Sequence, residues 1–382
     1  MATYRFNFPT PIHFGLGVRK LVPEHLKTVG VKRPLLVTDR GIAGLPMYLE
    51  MLADLKVGGL SAKGFSEIWG NPVKSQVNAG VTAFQAHQSD AIIGLGGGAA
   101  LDVAKAIALM VNHPGDLFDY EDDLIGALPI DKPIPYFIAL PTTAGTGSEV
   151  GRSAVISDDH THLKKIIFSP RLLASTVFAD PELTVGLPRH ITAATGIDAL
   201  THCVEAYLAK GFHPICDGIA IEGLRQAKTY LVRAVNNSHD LDARGGMLMS
   251  SMMGAIAFQK GLGVTHSCAH ALGAVVDMHH GLANGVMIDY ALKHNISAVP
   301  DRFKILAETV GLKNSDPLSF IQWLSQLKKE VGISANLIHA GVSKDKLEAL
   351  VEVAIKDGCH ASNPQVCKRE DFIAIFKEAF LE

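Results

Sequence analysis

The periodicity of this chain changes once, at Leu187-Pro188, and that change limits the possible folds more than any other feature. Before it, short apolar runs of strand length alternate with segments of helical spacing. PLLVTD at 34–39, DAIIGLG at 90–96 and PYFIAL at 135–140 are the clearest strands, and RSAVIS, KKIIFS and TVFAD add three β patterns between 152 and 180. Residues 4–15 read as a pair of short edge strands broken by Pro9 and Pro11, followed by a helix near 19–29. After the change, helical periodicity recurs in blocks with no convincing strand: 189–209, 214–235, 242–259, 265–277, 285–293, 299–310, 315–331, 343–357 and 369–380. Alternating strands and helices imply a largely parallel sheet with helices on both faces, whereas uninterrupted helices pack on one another.

Three features of the first half suggest a nucleotide. The strand at 34–39 ends on Asp39, where a carboxylate can accept both hydroxyls of an adenosine ribose and would repel a 2′-phosphate. The alternative is that Asp39 caps the turn or helix that follows. The strand at 90–96 runs into GGGAALDVAKAIALM, where Gly96, Gly97 and Gly98 admit close approach of a ligand and a helix starting near Ala99 aims free N–H groups at a pyrophosphate. The order is unorthodox, since the usual fingerprint puts the glycines before the acidic residue. The strand at 135–140 is followed by PTTAGTGSEV, whose Thr142, Thr143 and Ser148 offer hydroxyls to phosphate, ribose or nicotinamide amide. Asp102, inside the glycine-rich motif, joins these cofactor candidates. We therefore expect residues 1–186 to form an α/β dinucleotide-binding domain, Rossmann-like with a mostly parallel sheet, and residues 187–382 an all-α domain.

The helical half carries the metal candidates. GLGVTHSCAHALGAVVDMHHGLANG at 261–285 places four of the seventeen histidines, His266, His270, His279 and His280, within fifteen positions. His266 and His270 are four apart and share a helix face. His280 lies too far along a straight helix to share an ion with His266, so a bend at Asp277-Met278-His279, ended by Gly281, is needed to return the chain. Upstream, Asp198 and His202 in TGIDALTHCVEAY are again four apart. One carboxylate and three imidazoles suit Zn²⁺ or Fe²⁺, between which ligand type does not decide. A single helical histidine is more often a hydrogen-bonded core residue, and two separate pairs at ligand spacing shift that balance.

With 382 residues, two domains are the default. The 48% hydrophobic and 19% charged composition is that of a folded globular chain. A net charge of −3 with no basic run longer than two residues argues against nucleic acid and anionic membrane as partners. The N-terminal stretch lacks a secretory apolar region, and AIIGLGGGAALDVAKAIALMV carries Asp102, Lys105 and glycines where a membrane helix wants bulk. Five cysteines without a CxxC pair fit reduced thiols, so a cytoplasmic protein is expected.

GGGAALDVAK at 96–105, PTTAGTGSEV at 141–150, TGIDALTHCVEAY at 195–207, GLGVTHSCAHALG at 261–273, HHGLANG at 279–285 and DGCHASNP at 357–364 resemble, in this order, the iron-containing (group III) alcohol dehydrogenases. The resemblance spans essentially the whole chain. It implies one divalent ion, Fe²⁺ with Zn²⁺ as the alternative, held in the helical domain by Asp198, His202, His266 and His280, with His270 as a non-ligand histidine beside the site. It also implies that Asp39, Gly97, Gly98, Thr142, Thr143, Lys165 and Leu183 bind the cofactor. NAD is expected, and Arg40 after Asp39 leaves NADP open. Two departures stand out: Ala99 replaces the family's usual serine after the glycines, and His213 and Cys216 stand where relatives have small or hydroxyl residues.

The expected reaction is reversible hydride transfer between a primary alcohol or diol and its aldehyde, with the metal polarising the oxygen and His270 relaying a proton. A hydroxy-acid dehydrogenase, such as one for 4-hydroxybutyrate, is the alternative. The architecture also resembles dehydroquinate synthase and glycerol dehydrogenase, whose metal sites use different residues. A non-catalytic metal or nucleotide sensor is the alternative of another class. Phe258, Ile256, Cys359 and His360 are candidates to line the pocket, although Phe258 also reads as helix core. The segment Tyr4 to Phe8 offers an edge strand to a second copy, so a homodimer or higher oligomer is expected.

Overall fold

In the computed structural model, the structure describes Phe8 and residues 10 to 381, except 123, 162 and 315. Of the edge strand expected at Tyr4 to Phe8, Tyr4 to Asn7 lie outside them and Phe8 is in no strand. The chain divides into two compact units, one comprising Phe8–Thr143 with Gly147–Val185 and the other Gly186–Glu382 with Ala144–Thr146.

The described residues of the first unit form eight strands: β1 (Ile12–Phe14), β2 (Pro34–Val37), β3 (Lys63–Phe65), β4 (Ala91–Gly96), β5 (Tyr136–Pro141), β6 (Ser153–Ser157), β7 (Lys164–Phe168) and β8 (Thr176–Ala179). Six of them form a wholly parallel sheet in the order β1-β8-β5-β4-β2-β3. Its central strands β2, β4 and β5 are buried almost throughout, as the runs PLLV, AIIGLG and YFIALP require of strands covered on both faces. The β patterns at 152–157 and 164–169 do not join this sheet. They pair antiparallel as a separate β6–β7 ribbon, since only a short polar turn connects them and a parallel pair needs a long crossover. β2 is followed by β3 on one side and β4 on the other, so the chain reverses its winding between β2 and β4. In open α/β sheets the carboxyl ends flanking such a reversal form the ligand crevice.

The second unit contains the helices Arg189–Leu208, Pro214–Asn236, Leu241–Ala257, Val264–Val276, His280–Lys293, Pro300–Thr309, Pro317–Val331, Leu347–Ala354 and Arg369–Ala379, with no strand among its described residues. The first three pack together around Leu200, Leu224, Leu231 and Leu248, all fully buried. Their boundaries lie within a few residues of the periodic blocks. One expectation is corrected: the helix placed at 285–293 begins at His280. Gly281 and Gly285 obscured its first turn, and the packing explains both. A Cβ at Gly281 would run into the Ala194 carbonyl, and one at Gly285 would press on Ile333 and Ile197. Among the described residues no helix is long and apolar enough to cross a membrane.

Candidate active site

Three helices bring the metal candidates together. Asp198 and His202 lie one turn apart on Arg189–Leu208, His266 in the first turn of Val264–Val276, and His280 at the first position of the following helix. The bend that returns the chain to His280 is at Asp277, whose φ of 52° places it in the left-handed region where a non-glycine residue is uncommon. His279 then caps the next helix, its ring accepting the Leu282 N–H. The bare backbone of Gly281 lets that helix close onto Ala194, and Gly254 makes similar room beside the His202 Cβ.

Asp198, His202 and His266 are buried and His280 is partly exposed. Their ligating atoms all lie within 4.8 Å of one another. The Asp198 Oδ1 is 3.8 Å from His202 Nε2, 3.9 Å from His266 Nε2 and 3.4 Å from His280 Nε2. Ligands about 2.0–2.2 Å from a shared ion sit roughly 3.3–3.5 Å apart, so these separations suit one divalent cation after small adjustment. The buried amide of Asn284, one turn beyond His280, now answers these acceptors. Its Nδ2 is 2.7 Å from Asp198 Oδ1, 3.3 Å from His266 Nε2 and 3.2 Å from His280 Nε2, while its own Oδ1 has no hydrogen-bond partner among the described residues. A buried carboxylate facing three imidazoles around a single amide, with one amide atom orphaned, is a donor set that fits a metal ion better than a sealed core.

The electrostatics agree. Burial opposes ionisation of Asp198, but the three imidazoles and the Asn284 amide outweigh it and hold its carboxyl at about 2. Burial, with His266 adding to it, drives His202 down to about 4, so its imidazole is neutral, as a ligand must be. His266 is anchored from behind: Nδ1 meets Glu205 Oε2 at 2.6 Å, and Glu205 also accepts the N–H groups of Gly263 (3.0 Å) and Thr265 (2.6 Å). This contact outweighs burial and keeps Glu205 ionised. A proton held on Nδ1 leaves Nε2 as the atom facing the cluster.

His270 stands beside this set without belonging to it. Its ring stacks on His280 at 5.3 Å between centroids and meets His266 edge-on at 6.2 Å. Its Nδ1 contacts Asp357 Oδ2 at 2.7 Å, with Cys359 Sγ 3.9 Å from the same nitrogen. Of the pocket candidates, Phe258 sets its ring edge against His202 at 5.1 Å, and His360 Nε2 is held by the Ile355 carbonyl.

In the sheet unit, Asp39 follows β2 and Gly96 to Gly98 follow β4, at the carboxyl ends that flank the reversal of winding. The Asp39 side chain caps a short helix at Arg40–Ala43, its Oδ1 accepting the Ile42 N–H at 3.0 Å. The capping alternative therefore holds for Oδ1, and Oδ2 is the oxygen turned toward Gly96, 3.6 Å from where a Cβ would sit there. Gly97 lies against Thr143, and the Thr142 N–H donates to the Gly96 carbonyl at 3.0 Å. Asp102 and Ser148 bond to each other: Ser148 donates to Asp102 Oδ1 at 2.6 Å, and the fully buried Lys105 donates to Ser148 at 2.7 Å. Val155 N–H completes the set on Asp102 Oδ2 at 3.0 Å. Together these bonds tie the loop after β5 to the glycine-led helix Gly98–Met110. Lys165 pairs with Glu121, and Leu183 is buried in the sheet core.

Sequence reasoning passed over Glu205, Asn284, Ser267 and Asp357. Two carried a readable signal: Glu205 is seven residues after Asp198 and Asn284 four after His280, each on the ligand face of its helix. Asp357 and Ser267 meet across 90 residues, and no local pattern announces such a pair.

The sequence matches the family described as Fe-containing alcohol dehydrogenase family, C-terminal, over residues 192–380, and that described as iron-containing alcohol dehydrogenase over residues 9–181. It is 36% identical over 381 residues to a 4-hydroxybutyrate dehydrogenase of Cupriavidus necator, covering 97% of this chain and 98% of that one. It is 35% identical over 382 residues to an NAD-dependent methanol dehydrogenase of Bacillus methanolicus, covering 98% and 99%. Its fold superposes on a crystal structure of 1,3-propanediol oxidoreductase with a TM-score of 0.95 at 34% identity, covering 99% of this chain and all of that one.

Proposed function

This chain belongs to the iron-containing alcohol dehydrogenase family and is accordingly an oxidoreductase acting on an alcohol and its aldehyde, and we propose that Asp198, His202, His266 and His280 are its metal ligands and His270 its catalytic residue. The observation that carries this reading is the convergence of those four ligand atoms within 4.8 Å. A divalent ion held there, Fe²⁺ by preference and Zn²⁺ as the substitute, supplies Lewis-acid polarisation of the alcohol or carbonyl oxygen. Asp198 and the Nε2 atoms of His202, His266 and His280 would provide the donors, Glu205 holds His266 in the ligating tautomer, and Asn284 braces Asp198. His270, adjacent to His280 and free of ligand duty, takes the hydroxyl proton during oxidation and returns it during reduction.

Asp39, Gly96, Gly97, Gly98, Thr142 and Thr143 are our candidates to contact the dinucleotide, around the reversal of winding between β2 and β4. We assign Asp102 and Ser148 to holding that cradle in shape through Lys105. Lys165 and Leu183 are proposed to border it, Leu183 through its backbone. The Asp39 carboxylate favours NAD over NADP by repelling a 2′-phosphate.

For substrate we propose a small primary alcohol or diol. Lys260 and Arg302 are both committed to Asp217 and to the Tyr207 carbonyl, which argues against a carboxylate-bearing substrate held by either. The hydroxy-acid reading keeps the support of the 4-hydroxybutyrate dehydrogenase relative. The sensor alternative draws no support from the relatives. Five free thiols fit a reducing compartment such as the cytoplasm, and β1 at the sheet edge suits assembly of copies. The test is nicotinamide reduction by anaerobically Fe²⁺-loaded protein with a panel of primary alcohols, diols and 4-hydroxybutyrate. Turnover with the neutral substrates supports the proposal, and turnover with 4-hydroxybutyrate alone selects the hydroxy acid.

A further inference from the structure

We infer that Asp357 is a positioning residue for the reaction: its carboxylate fixes the orientation and tautomer of His270, so that Nε2 alone exchanges the substrate proton. The inference rests on the catalytic role proposed for His270.

Asp357 lies in the turn after the helix Leu347–Ala354, 87 residues from His270 in sequence. Its two oxygens have separate duties. Oδ2 meets His270 Nδ1 at 2.7 Å, while Oδ1 accepts the Ser267 hydroxyl at 2.8 Å and the Cys359 N–H at 2.9 Å. Ser267 is in turn fixed from behind, its Oγ accepting the His360 N–H at 3.0 Å. Ser267 and His270 are on the same helix, so one carboxylate bridges two adjacent turns of that helix to a distant loop.

The donors decide the direction of the His270 bond. Burial opposes ionisation of Asp357, but His270, the Cys359 N–H and the Ser267 hydroxyl outweigh it and hold the carboxyl well below its ordinary range. An ionised carboxylate only accepts, so the proton of this bond belongs to Nδ1. Nε2 then keeps its lone pair for the hydroxyl proton of the alcohol, which passes from oxygen to Nε2 and onward to solvent while the hydride goes to nicotinamide. A carboxylate behind an imidazole both aligns the ring and stabilises its protonated form.

The same three side chains, His270, Asp357 and Cys359, offer ligand atoms within 4.8 Å of one another and so present a second candidate cation site. Two features favour the hydrogen-bonded reading. Both Asp357 oxygens already have donors, and burial with the neighbouring Asp357 pushes the Cys359 thiol up, away from the thiolate.

The experiment compares Asp357→Asn, Asp357→Glu, Ser267→Ala and His270→Ala with the parent chain, reading metal content, kcat, KM and the imidazole tautomer. The tautomer is read from long-range ¹H–¹⁵N spectra of Zn²⁺-loaded, ¹⁵N-histidine-labelled protein. We expect Asp357→Asn to keep one ion per chain and KM within about twofold, and to lower kcat by about 10²-fold. Its His270 signal should move away from the Nδ1–H tautomer, Asp357→Glu should recover part of the loss, and Ser267→Ala should lose severalfold. Adding Asp357→Asn to His270→Ala should cost no further rate, since the two act as one unit. If His270→Ala leaves kcat intact, the catalytic reading of His270 fails. If His270→Ala lowers kcat while Asp357→Asn, folded and metal-loaded, keeps both kcat and the tautomer, the positioning role fails alone. Should Asp357→Asn not fold, unchanged kcat and tautomer in Ser267→Ala overturn the positioning role in its place. Two ions in the parent and one in Asp357→Asn would replace the inference with the second cation site.

Discussion

The two units present their candidate ligand sites in different ways. In the helical unit, four side chains from three helices direct their ends at one another, with Glu205 holding His266 from behind and the Asn284 amide reaching in among them. In the sheet unit, the nucleotide candidates gather as backbone at the ends of β2 and β4, and Asp39, Asp102 and Ser148 bond to the protein itself. The contrast follows from what each set is proposed to bind. An ion is reached by side-chain atoms at about 2 Å, so ligand identity and spacing carry the information. A dinucleotide is reached by backbone N–H groups at strand and helix ends, so residue identity contributes mainly by leaving room.

The largest effect that probes this contrast is expected from His202→Ala, His266→Ala or Asp198→Ala. Each should remove the ion and reduce turnover by about 10³-fold or more while NAD affinity, measured by calorimetry, stays within about twofold. Loss of NAD binding in these variants would mean that the two regions do not bind their ligands independently. Next, Glu205→Gln should weaken metal affinity by about 10- to 100-fold in a chelator competition, because the carboxylate that orients His266 is gone but the four ligands remain. Equal affinity would leave Glu205 a core residue with no bearing on the metal.

Smaller effects are expected on the nucleotide side. Asp39→Ala should raise the ratio of kcat/KM for NADP over NAD by about tenfold, equivalent to about 1.4 kcal/mol. It also removes the cap on Ile42, worth about 1 kcal/mol, so Tm should fall by about 2–4 °C. A Tm change with no change in cofactor preference would confine Asp39 to capping.

The smallest effect distinguishes the units by pH. Glu149, next to Ser148, is fully buried, and burial lifts its carboxyl to about 7 against the ordinary 4.5, with Lys105 only partly offsetting. Between those values the folded chain binds the proton that the unfolded chain has lost, so this group's stabilising contribution is present below pH 4.5 and fades as pH rises through 7. Glu149→Gln should flatten that decline in Tm between about pH 4.5 and 7, and an unchanged slope would contradict it.

Much of this was legible in the amino-acid order. The runs at β2, β4 and β5 had no polar residue to place outward, so a buried parallel sheet was their available setting. The i, i+4 pairs Asp198/His202 and His266/His270 put candidate ligands on helix faces, and the Asp277 bend was implied by the distance to His280. Spacing alone does not separate His266 from His270, which share a face; in the structure His266 groups with Asp198, His202 and His280, and His270 with Asp357 and Cys359. The β6–β7 pairing was not legible, because β patterning at 152–157 and 164–169 does not specify which strands join. The sequence offers Asp102 and Ser148 as cofactor donors but does not reveal that they bond directly to each other or that the buried Lys105 donates to Ser148.

Where the ion sits matters most. Anomalous diffraction at the iron edge, from crystals of anaerobically Fe²⁺-loaded protein, reads that position directly. One peak per chain about 2.0–2.2 Å from an Asp198 oxygen and from the Nε2 atoms of His202, His266 and His280 is the predicted result. A peak at His270, Asp357 and Cys359 instead, or none at the four residues while the protein is active, would contradict it.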